Sequence, residues 1–192
     1  GPVIENGFYY DFQFKEPITD KDLKDLEKQM KKFIGAKLKF SGTAMNAADL
    51  RKLYATQPFK LELIEEYEKE GRTLTSYKTG DIFEDLCKGG HVESTSEIDP
   101  DGFTLTKLAG AYWRGDEKNT QLTRIYGLAF TTKEELDAYL KMMAEAEKRD
   151  HRKLGAELDL FTFSPLVGSG LPMFTPRGTL LRQLITDFVW SL

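Results

Sequence analysis

The sequence predicts an α+β protein in which helices pack on antiparallel or mixed sheets, followed by one long helix. Over roughly the first 130 residues, segments with helical apolar spacing alternate with short strand-like segments bounded by glycine and aspartate turns. Thr132, with Glu135 three positions later, then forms a capping box that opens an extended amphipathic segment. We therefore predict a first domain at 1–130, a linker helix at 131–160 and the start of a further domain at 161–192.

The composition limits the class of protein. The 192 residues are 40% hydrophobic and 30% charged, which is typical of a globular chain that buries a core. A net charge of −4 gives no overall basic signature for nucleic acid, although a local basic patch remains compatible with it. A single cysteine excludes an internal disulfide framework and suits a reducing compartment, so we expect a cytoplasmic protein. The chain has no signal-peptide pattern and begins at Gly1 without a methionine, so we expect a piece of a longer protein.

The first half of the chain alternates between strands and helices. Residues 7–14 are rich in aromatics and predict a strand. Thr19 caps a first helix that Gly35 ends, and residues 37–40 predict a short strand. Two further helices open at Asn46 and at Pro58, and further strands are predicted at 73–77, 82–86, 103–108 and 124–130.

The second half contains two helices of different character. The helix opened at Thr132 runs toward Leu154 or Leu158 and is roughly 22–28 residues long, which is long for a helix packed within one domain. Its dense charges predict a solvated rod between two bodies. A last helix begins near Pro176 and is strongly apolar, so we expect its packing partner to be missing from this chain or supplied by a second copy of it.

The segment 85–92 gathers the largest number of reactive side chains. It contains Cys87, the only cysteine, and His91, one of two histidines, with glycines at 89 and 90 that permit a tight turn. A thiol and an imidazole at this spacing can converge on one metal ion, one water or one ester carbonyl. A lone cysteine is also often a small buried hydrophobe. Spacing alone does not establish zinc, which needs three or four protein ligands.

Several segments, in order, resemble the threonyl-tRNA synthetases. The matching segments are 1–11, 85–92, 109–116, 122–130, 145–155 and 170–189. The resemblance departs at Gly90, where the family usually has proline. Alanyl-tRNA synthetases and their free-standing relatives share a similar editing fold and are the near alternative, but the segments 110–116 and 149–155 favour the threonyl enzymes.

The resemblance implies a function for each predicted part. Residues 1–130 would be the editing (second additional) domain without its upstream His-x3-His pair, 131–160 the linker helix, and 161–192 the beginning of the class II catalytic domain. The intact enzyme would use ATP, magnesium and zinc to join threonine to tRNA(Thr), and would be a homodimer. The piece itself would carry no cofactor, would not charge tRNA and would edit Ser-tRNA(Thr) weakly or not at all when alone.

The resemblance also implies the site residues. The catalytic candidates are Lys60, Asp85, Cys87 and His91, and the substrate-binding candidates are Tyr10 and Tyr77. Lys60 would polarise a water or the ester, Asp85 would bind the seryl ammonium or hydroxyl, and Cys87 would orient a water or the substrate. His91 would act as the base, and the tyrosines would form the pocket wall and a hydrogen-bond donor. Cys87 and His91 are also the candidate metal ligands.

Basic residues of the linker are candidate tRNA contacts. Phosphate contacts are predicted for Lys148, Arg149, Arg152 and Lys153, and packing against a catalytic body is an equal alternative. We interpret Tyr112, Trp113 and Arg114 as core and turn residues. The two alternatives to a hydrolytic editing module are a non-catalytic tRNA-positioning module and an editing domain of the alanyl type.

Overall fold

The computed structural model describes residues 2–168 and 170–192 and contains two compact units that divide between Leu136 and Asp137. The elements of the first unit, in chain order, are β1 (Val3–Ile4), β2 (Gly7–Phe12), α1 (Asp20–Gly35), β3 (Phe40–Ala44), α2 (Ala47–Leu53), α3 (Pro58–Lys69), β4 (Thr75–Thr79), β5 (Phe83–Leu86), β6 (Phe103–Tyr112) and β7 (Gln121–Ala129). Helix α4 (Lys133–Lys148) crosses the division between the units. The predicted α+β class is confirmed.

Two antiparallel sheets organise the first unit. One has four strands in the order β1-β2-β7-β6, and the other has three in the order β3-β4-β5. Helix α1 packs on β6, where the Glu27 carboxylate accepts hydrogen bonds from the Leu105 amide (2.9 Å) and the Thr104 hydroxyl (2.8 Å). These bonds tie the helix to a strand edge, in addition to the apolar contacts of the buried Leu23.

A compact apolar cluster lies between α2, α3 and β4. Its buried members are Ala47, Leu50, Tyr54, Ile64 and Leu74. Leu50 and Ile64 are fully inaccessible to solvent, and Tyr54 follows Leu50 at helical spacing. This cluster fixes the two short helices against the three-stranded sheet.

The predicted helix starts are confirmed by their caps. The Asp22 carboxylate accepts a hydrogen bond from the Thr19 amide (2.7 Å), and the Asn46 side chain accepts one from the Asp49 amide (2.8 Å). At α4, Thr132 Oγ1 accepts from the Glu135 amide at 3.4 Å. The second bond of the predicted capping box is displaced by one residue, because it is the amide of Thr131 that donates to Glu135 Oε2, at 3.1 Å.

The predicted strand at 37–40 is wrong. Lys37 has a left-handed backbone (φ 54°) that closes helix α1, and the strand runs instead over Phe40–Ala44 in register with Thr75–Thr79. The segment Ser41-Gly42-Thr43-Ala44 has little strand propensity, so pairing with β4 decides its conformation.

The segment 131–160 contains two helices and not the single helix that the sequence predicts. Helix α4 ends at Lys148, and a separate helix α5 (His151–Glu157) follows. The side chain of Asp150 accepts a hydrogen bond from the Arg152 amide at 2.8 Å and therefore caps α5. An aspartate that binds nearby backbone amides competes with helical hydrogen bonding, which interrupts the rod.

The second unit continues with the antiparallel pair β8 (Phe161–Thr162) and β9 (Met173–Phe174) and with helix α6 (Pro176–Trp190). The predicted start of α6 is confirmed, and Thr175 Oγ1 caps it by accepting from the Gly178 amide at 3.1 Å. The exposed apolar residues of α6 are Leu180, Leu181, Leu184, Ile185, Phe188, Val189 and Trp190. Among the described residues, no helix is both long and apolar enough to cross a membrane.

Candidate functional site

Strand β5 positions two of the candidate side chains. Asp85 lies opposite Tyr77 in the β4–β5 register, and the Cys87 amide continues the ladder by donating to the Thr75 carbonyl at 3.1 Å. Residues two apart on a strand point to the same face. Asp85 and Cys87 are therefore presented side by side.

Lys60 of α3 forms an ion pair with Asp85. Its Nζ lies 2.5 Å from Asp85 Oδ1, and the two side chains are only 19% and 15% exposed. Asp85 Oδ1 also accepts from the Leu86 amide at 2.7 Å, and Oδ2 accepts a hydrogen bond from the Tyr10 hydroxyl. Three donors thus hold this carboxylate.

Tyr10 is held as a hydrogen-bond donor. Burial raises the pKa of its phenol well above the ordinary tyrosine value, and the hydrogen bond to Asp85 and the charge of that carboxylate raise the pKa further. Cys87 makes a smaller electrostatic contribution to the pKa of Tyr10 in the same direction, so the phenol and the thiol share one environment. Tyr10 stays protonated and donates to Asp85 across the neutral pH range.

The ring of Tyr54 lies against the Lys60 ammonium group, a contact that the sequence did not predict. Lys60 Nζ lies 4.7 Å from the centre of the Tyr54 ring, in cation–π geometry. The Tyr54 hydroxyl and Ser76 Oγ are 2.9 Å apart, and Ser76 donates to Glu84 Oε1 at 2.8 Å. Tyr54 and Ser76 are 2% and 1% exposed. The only sequence signal for Tyr54 is its helical spacing from Leu50, which predicts burial and no contact with a lysine.

Cys87 and His91 approach each other across the glycine turn. Cys87 Sγ and His91 Nε2 are 3.7 Å apart. The exposed His91 ring is flanked by Tyr77, with ring centres 4.4 Å apart, and by Phe40, at 5.1 Å. Two aromatic neighbours therefore hold the orientation of the imidazole, and Phe40 is a member of the site that the sequence suggested only as a strand residue.

Two glycines make room for the Tyr77 ring. A Cβ at Gly42 would lie 2.4 Å from Tyr77 Cζ, and one at Gly89 would lie 2.7 Å from the Tyr77 hydroxyl oxygen. Gly89 also has a φ of +101°, which a residue with a side chain rarely adopts. Glycine is required at both positions for the ring to reach His91.

The basic candidates lie in the second unit, whereas the other six candidates lie in the first. Lys148 and Arg149 pair with Glu145 at 2.8 Å and 3.7 Å, and Arg152 makes two hydrogen bonds to Asp150, at 3.1 Å and 2.7 Å. These bonds from Arg152 are the main cause of a lowered pKa of the Asp150 carboxyl. Carboxylates thus already balance three of the basic side chains proposed to contact RNA.

Comparison with known proteins shows which proteins this chain resembles. Residues 74–126 match the family described as the threonyl and alanyl tRNA synthetase second additional domain, a range that includes Asp85, Cys87 and His91. The chain is 50% identical over 191 residues to a threonine–tRNA ligase of Gloeobacter violaceus, 49% identical to that of Thermosynechococcus vestitus and 47% identical to that of Deinococcus radiodurans. Each match covers 98% of this chain.

Over nearly its whole length, the chain is similar to a region of threonine–tRNA ligases. It spans only 29–31% of the length of these three relatives. The matching region of these ligases includes the second additional domain.

The turn at Gly90 differs from what the resemblance to threonyl-tRNA synthetases implies. Gly90 has a φ of +83°, and a proline ring fixes φ near −65°. A proline therefore cannot replace Gly90 without changing the backbone of this turn. The Cys87–His91 approach in this chain depends on a loop conformation that only a glycine adopts readily.

The described residues do not form a complete site for the zinc that the resemblance suggests. In tetrahedral zinc coordination, a cysteine sulfur and a histidine nitrogen are about 3.6 Å apart, close to the observed 3.7 Å. However, within residues 2–168 and 170–192, no group of three or more His, Cys, Asp or Glu side chains is arranged to hold a metal ion. Cys87 and His91 would supply two of the four ligands of such a site.

Proposed function

We propose that this chain is the editing region of a threonine–tRNA ligase and that it hydrolyses the aminoacyl ester of Ser-tRNA(Thr). One observation carries the proposal. A largely buried lysine–carboxylate–tyrosine cluster, formed by Lys60, Asp85 and Tyr10, adjoins the Cys87–His91 pair along strand β5. This combination supplies a fixed cation beside a thiol and an imidazole, which suits hydrolysis of a carbonyl ester.

The reaction is the attack of water on the seryl ester carbonyl. A bond forms from the water oxygen to the carbonyl carbon, and the bond from that carbon to the terminal ribose oxygen breaks. The base takes a proton from water, and the departing ribose oxygen receives a proton. The products are serine and tRNA(Thr) with a free 3′ end.

Lys60 stabilises the negative charge that develops on the carbonyl oxygen. An ammonium group has three N–H donors, and the contact with Asp85 uses one of them. Asp85 and the face of Tyr54 fix the position of the ammonium group before substrate arrives, so little reorganisation is needed in the transition state.

His91 accepts the proton of the attacking water, and Cys87 orients that water or the substrate. Tyr77 and Phe40 hold the imidazole plane in place. Asp85 is a weaker candidate for the base, because three donors already occupy most of its roughly four lone-pair directions. The remaining direction is available to the amino or hydroxyl group of serine.

Editing is needed because serine lacks only one methyl group of threonine. Such a difference is worth about 1–3 kcal/mol in a binding pocket, too little for accurate charging. A second site that admits serine and rejects the larger threonine corrects the resulting errors. We extend the proposal to the whole enzyme, a cytoplasmic homodimer that uses ATP, magnesium and zinc to charge tRNA(Thr) with threonine. In it, Lys148, Arg149, Arg152 and Lys153 would contact tRNA phosphates.

The test is deacylation of purified Ser-tRNA(Thr) by the chain and by a full-length threonine–tRNA ligase that contains it. In the full-length enzyme, Lys60→Ala and His91→Ala should each slow deacylation by about 100-fold or more, because each removes a charge-stabilising or proton-accepting group. Lys69→Ala is the matched control, since Lys69 lies on the same helix in an exposed pair with Glu65.

The outcomes separate the proposal from its alternatives. Unchanged deacylation in both Lys60→Ala and His91→Ala would contradict the assigned roles. If the unmodified full-length enzyme leaves Ser-tRNA(Thr) intact, the region is a non-catalytic tRNA-positioning module. Preferential hydrolysis of mischarged tRNA(Ala) would instead identify an editing domain of the alanyl type.

A further inference from the structure

The tip of the β6–β7 hairpin is a rigid turn that the proposed chemistry does not use. The Trp113 amide donates to the Thr120 carbonyl and the Asn119 side chain donates to the Trp113 carbonyl, both at 3.0 Å. Arg114 and Gly115 have left-handed backbones, with φ of 57° and 73°. A non-glycine residue in this region is uncommon, and here the surrounding turn fixes it.

This tip contacts helix α3 through two consecutive side chains. Trp113 Nε1 donates to Glu62 at 2.8 Å, and the Trp113 ring lies 4.8 Å from that of Phe59. Arg114 donates to Glu66 at 2.7 Å, and its Nε lies 3.7 Å from Glu62. The tryptophan and the arginine therefore hold two successive turns of α3.

The contacted face of α3 is not the face that carries Lys60. At 3.6 residues per turn, Phe59, Glu62 and Glu66 form one face, and Lys60 and Ile64 point roughly 130° and roughly 170° away from it around the axis. Ile64 is fully buried in the apolar cluster. The helix is thus held from two directions, by the core and by the hairpin tip, and these two contacts together determine its rotation.

We propose that Trp113 and Arg114 are positioning residues that hold α3 in the rotation at which Lys60 reaches Asp85. The structural part of this inference is independent of the reaction, and its catalytic consequence rests on the proposed function. Lys60 follows Phe59, whose ring contacts Trp113, so a small rotation of the helix displaces the Lys60 ammonium group. An ion pair as short as 2.5 Å tolerates little displacement.

The first test measures the rate at which an N-hydroxysuccinimidyl acetate reagent acetylates Lys60 in the purified chain, by mass spectrometry of the Lys60 peptide. In Trp113→Leu and Arg114→Ala we expect Lys60 to react about fivefold faster, because the ammonium group spends less time paired. Trp113→Phe keeps the ring contact but loses the bond to Glu62, and we expect about a twofold increase. Lys69, on the same helix, is the internal control and should not change.

Arg72→Ala is the matched control variant. Arg72 pairs with Glu70 and lies 5.0 Å from the centre of the Tyr67 ring on α3. It is not one of the two hairpin residues, Trp113 and Arg114, that contact the other face of α3. It should leave Lys60 acetylation unchanged. The exchanged pair Arg114→Glu with Glu66→Arg restores opposite charges and should return Lys60 to near its original rate. Unchanged Lys60 reactivity in the double variant Trp113→Leu/Arg114→Ala would overturn the inference.

The second test separates this inference from the proposed function. In full-length enzyme, Arg114→Ala should lower the kcat of Ser-tRNA(Thr) deacylation about fivefold with little change in KM, and Arg114→Lys should recover part of it. A raised KM with unchanged kcat and unchanged Lys60 reactivity would mean that the hairpin contacts RNA directly, and would refute positioning. If the unmodified full-length enzyme leaves Ser-tRNA(Thr) intact, the proposed function fails, while the acetylation result still decides whether the hairpin positions the helix.

Discussion

The two halves of the candidate site are built in opposite ways. The cluster of Lys60, Asp85 and Tyr10 is largely buried, and three donors satisfy its carboxylate. The pair of Cys87 and His91 lies on a glycine turn, with an exposed imidazole and a separation of 3.7 Å. The first half is preorganised by folding of the domain, whereas the second depends on the conformation of one loop. Substitutions in the first half should therefore lower stability more than substitutions in the loop.

The largest effect should come from removing the charge at Asp85. Asp85→Asn keeps the shape of the side chain but leaves the Lys60 ammonium group mostly buried without an opposite charge. We expect a loss of about 3 kcal/mol in the free energy of unfolding, measured by urea denaturation. Glu65→Gln, which breaks the exposed pair with Lys69, is the control and should leave the urea midpoint unchanged. A midpoint for Asp85→Asn equal to that of the unmodified chain would show that the cluster adds no stability.

A smaller effect should distinguish the two glycines of the loop. Gly89→Ala places a Cβ 2.7 Å from the Tyr77 hydroxyl oxygen at a φ of +101°, whereas a Cβ at Gly90 has no atom within 4 Å and a φ of +83°. We expect losses of about 2 kcal/mol for Gly89→Ala and about 1 kcal/mol for Gly90→Ala in the free energy of unfolding, because only the first adds a steric clash to backbone strain. Equal losses in thermal or urea unfolding would mean that Tyr77 does not pack against this turn.

The smallest expected effect concerns the free energy of unfolding above about pH 10, compared between the unmodified chain and Tyr10→Phe. The folded state holds the Tyr10 proton more tightly than the unfolded state, because its pKa is raised above 10.0. The folded state then binds more protons than the unfolded state above that pH, so stability contributed by Tyr10 is present below about pH 10 and is lost as the pH rises further. Tyr10→Phe should flatten the fall in the free energy of unfolding above about pH 10. An identical slope in the two proteins would contradict the burial and bonding of the phenol.

Local sequence patterns predicted the helix starts and missed much of what tertiary contacts decide. The side chains of Asn46 and Thr175 accept from nearby amides, and the Asp22 side chain accepts from the Thr19 amide, which are local effects readable from spacing. The strand Phe40–Ala44 was misplaced because its small polar residues have no strand preference of their own. The break at Asp150 was missed because the charge pattern of the segment fits a continuous helix.

In the candidate site, too, the contacts that depend on tertiary packing could not be predicted from the sequence. Family resemblance suggested Lys60 and Asp85, which are 25 residues apart and which no spacing rule connects. The apolar residues of α2 predicted that Tyr54 is buried, but its contact with Lys60 depends on how α2 and α3 pack. Phe40 and the clamp at Trp113 were missed for the same reason, since both are contacts between separate elements.

The hydrogen bond from Tyr10 to Asp85 joins two different sheets, because Tyr10 belongs to β2 and Asp85 to β5. The complete candidate cluster of Lys60, Asp85 and Tyr10 therefore forms only while those sheets remain packed together. A hydrolase of aminoacyl esters is a hazard to the cell if partial unfolding relaxes its selectivity, since it would then destroy correctly charged tRNA. Separation of the two sheets would break the Tyr10–Asp85 hydrogen bond, so under the proposed function a partly unfolded molecule should lose activity before it loses selectivity.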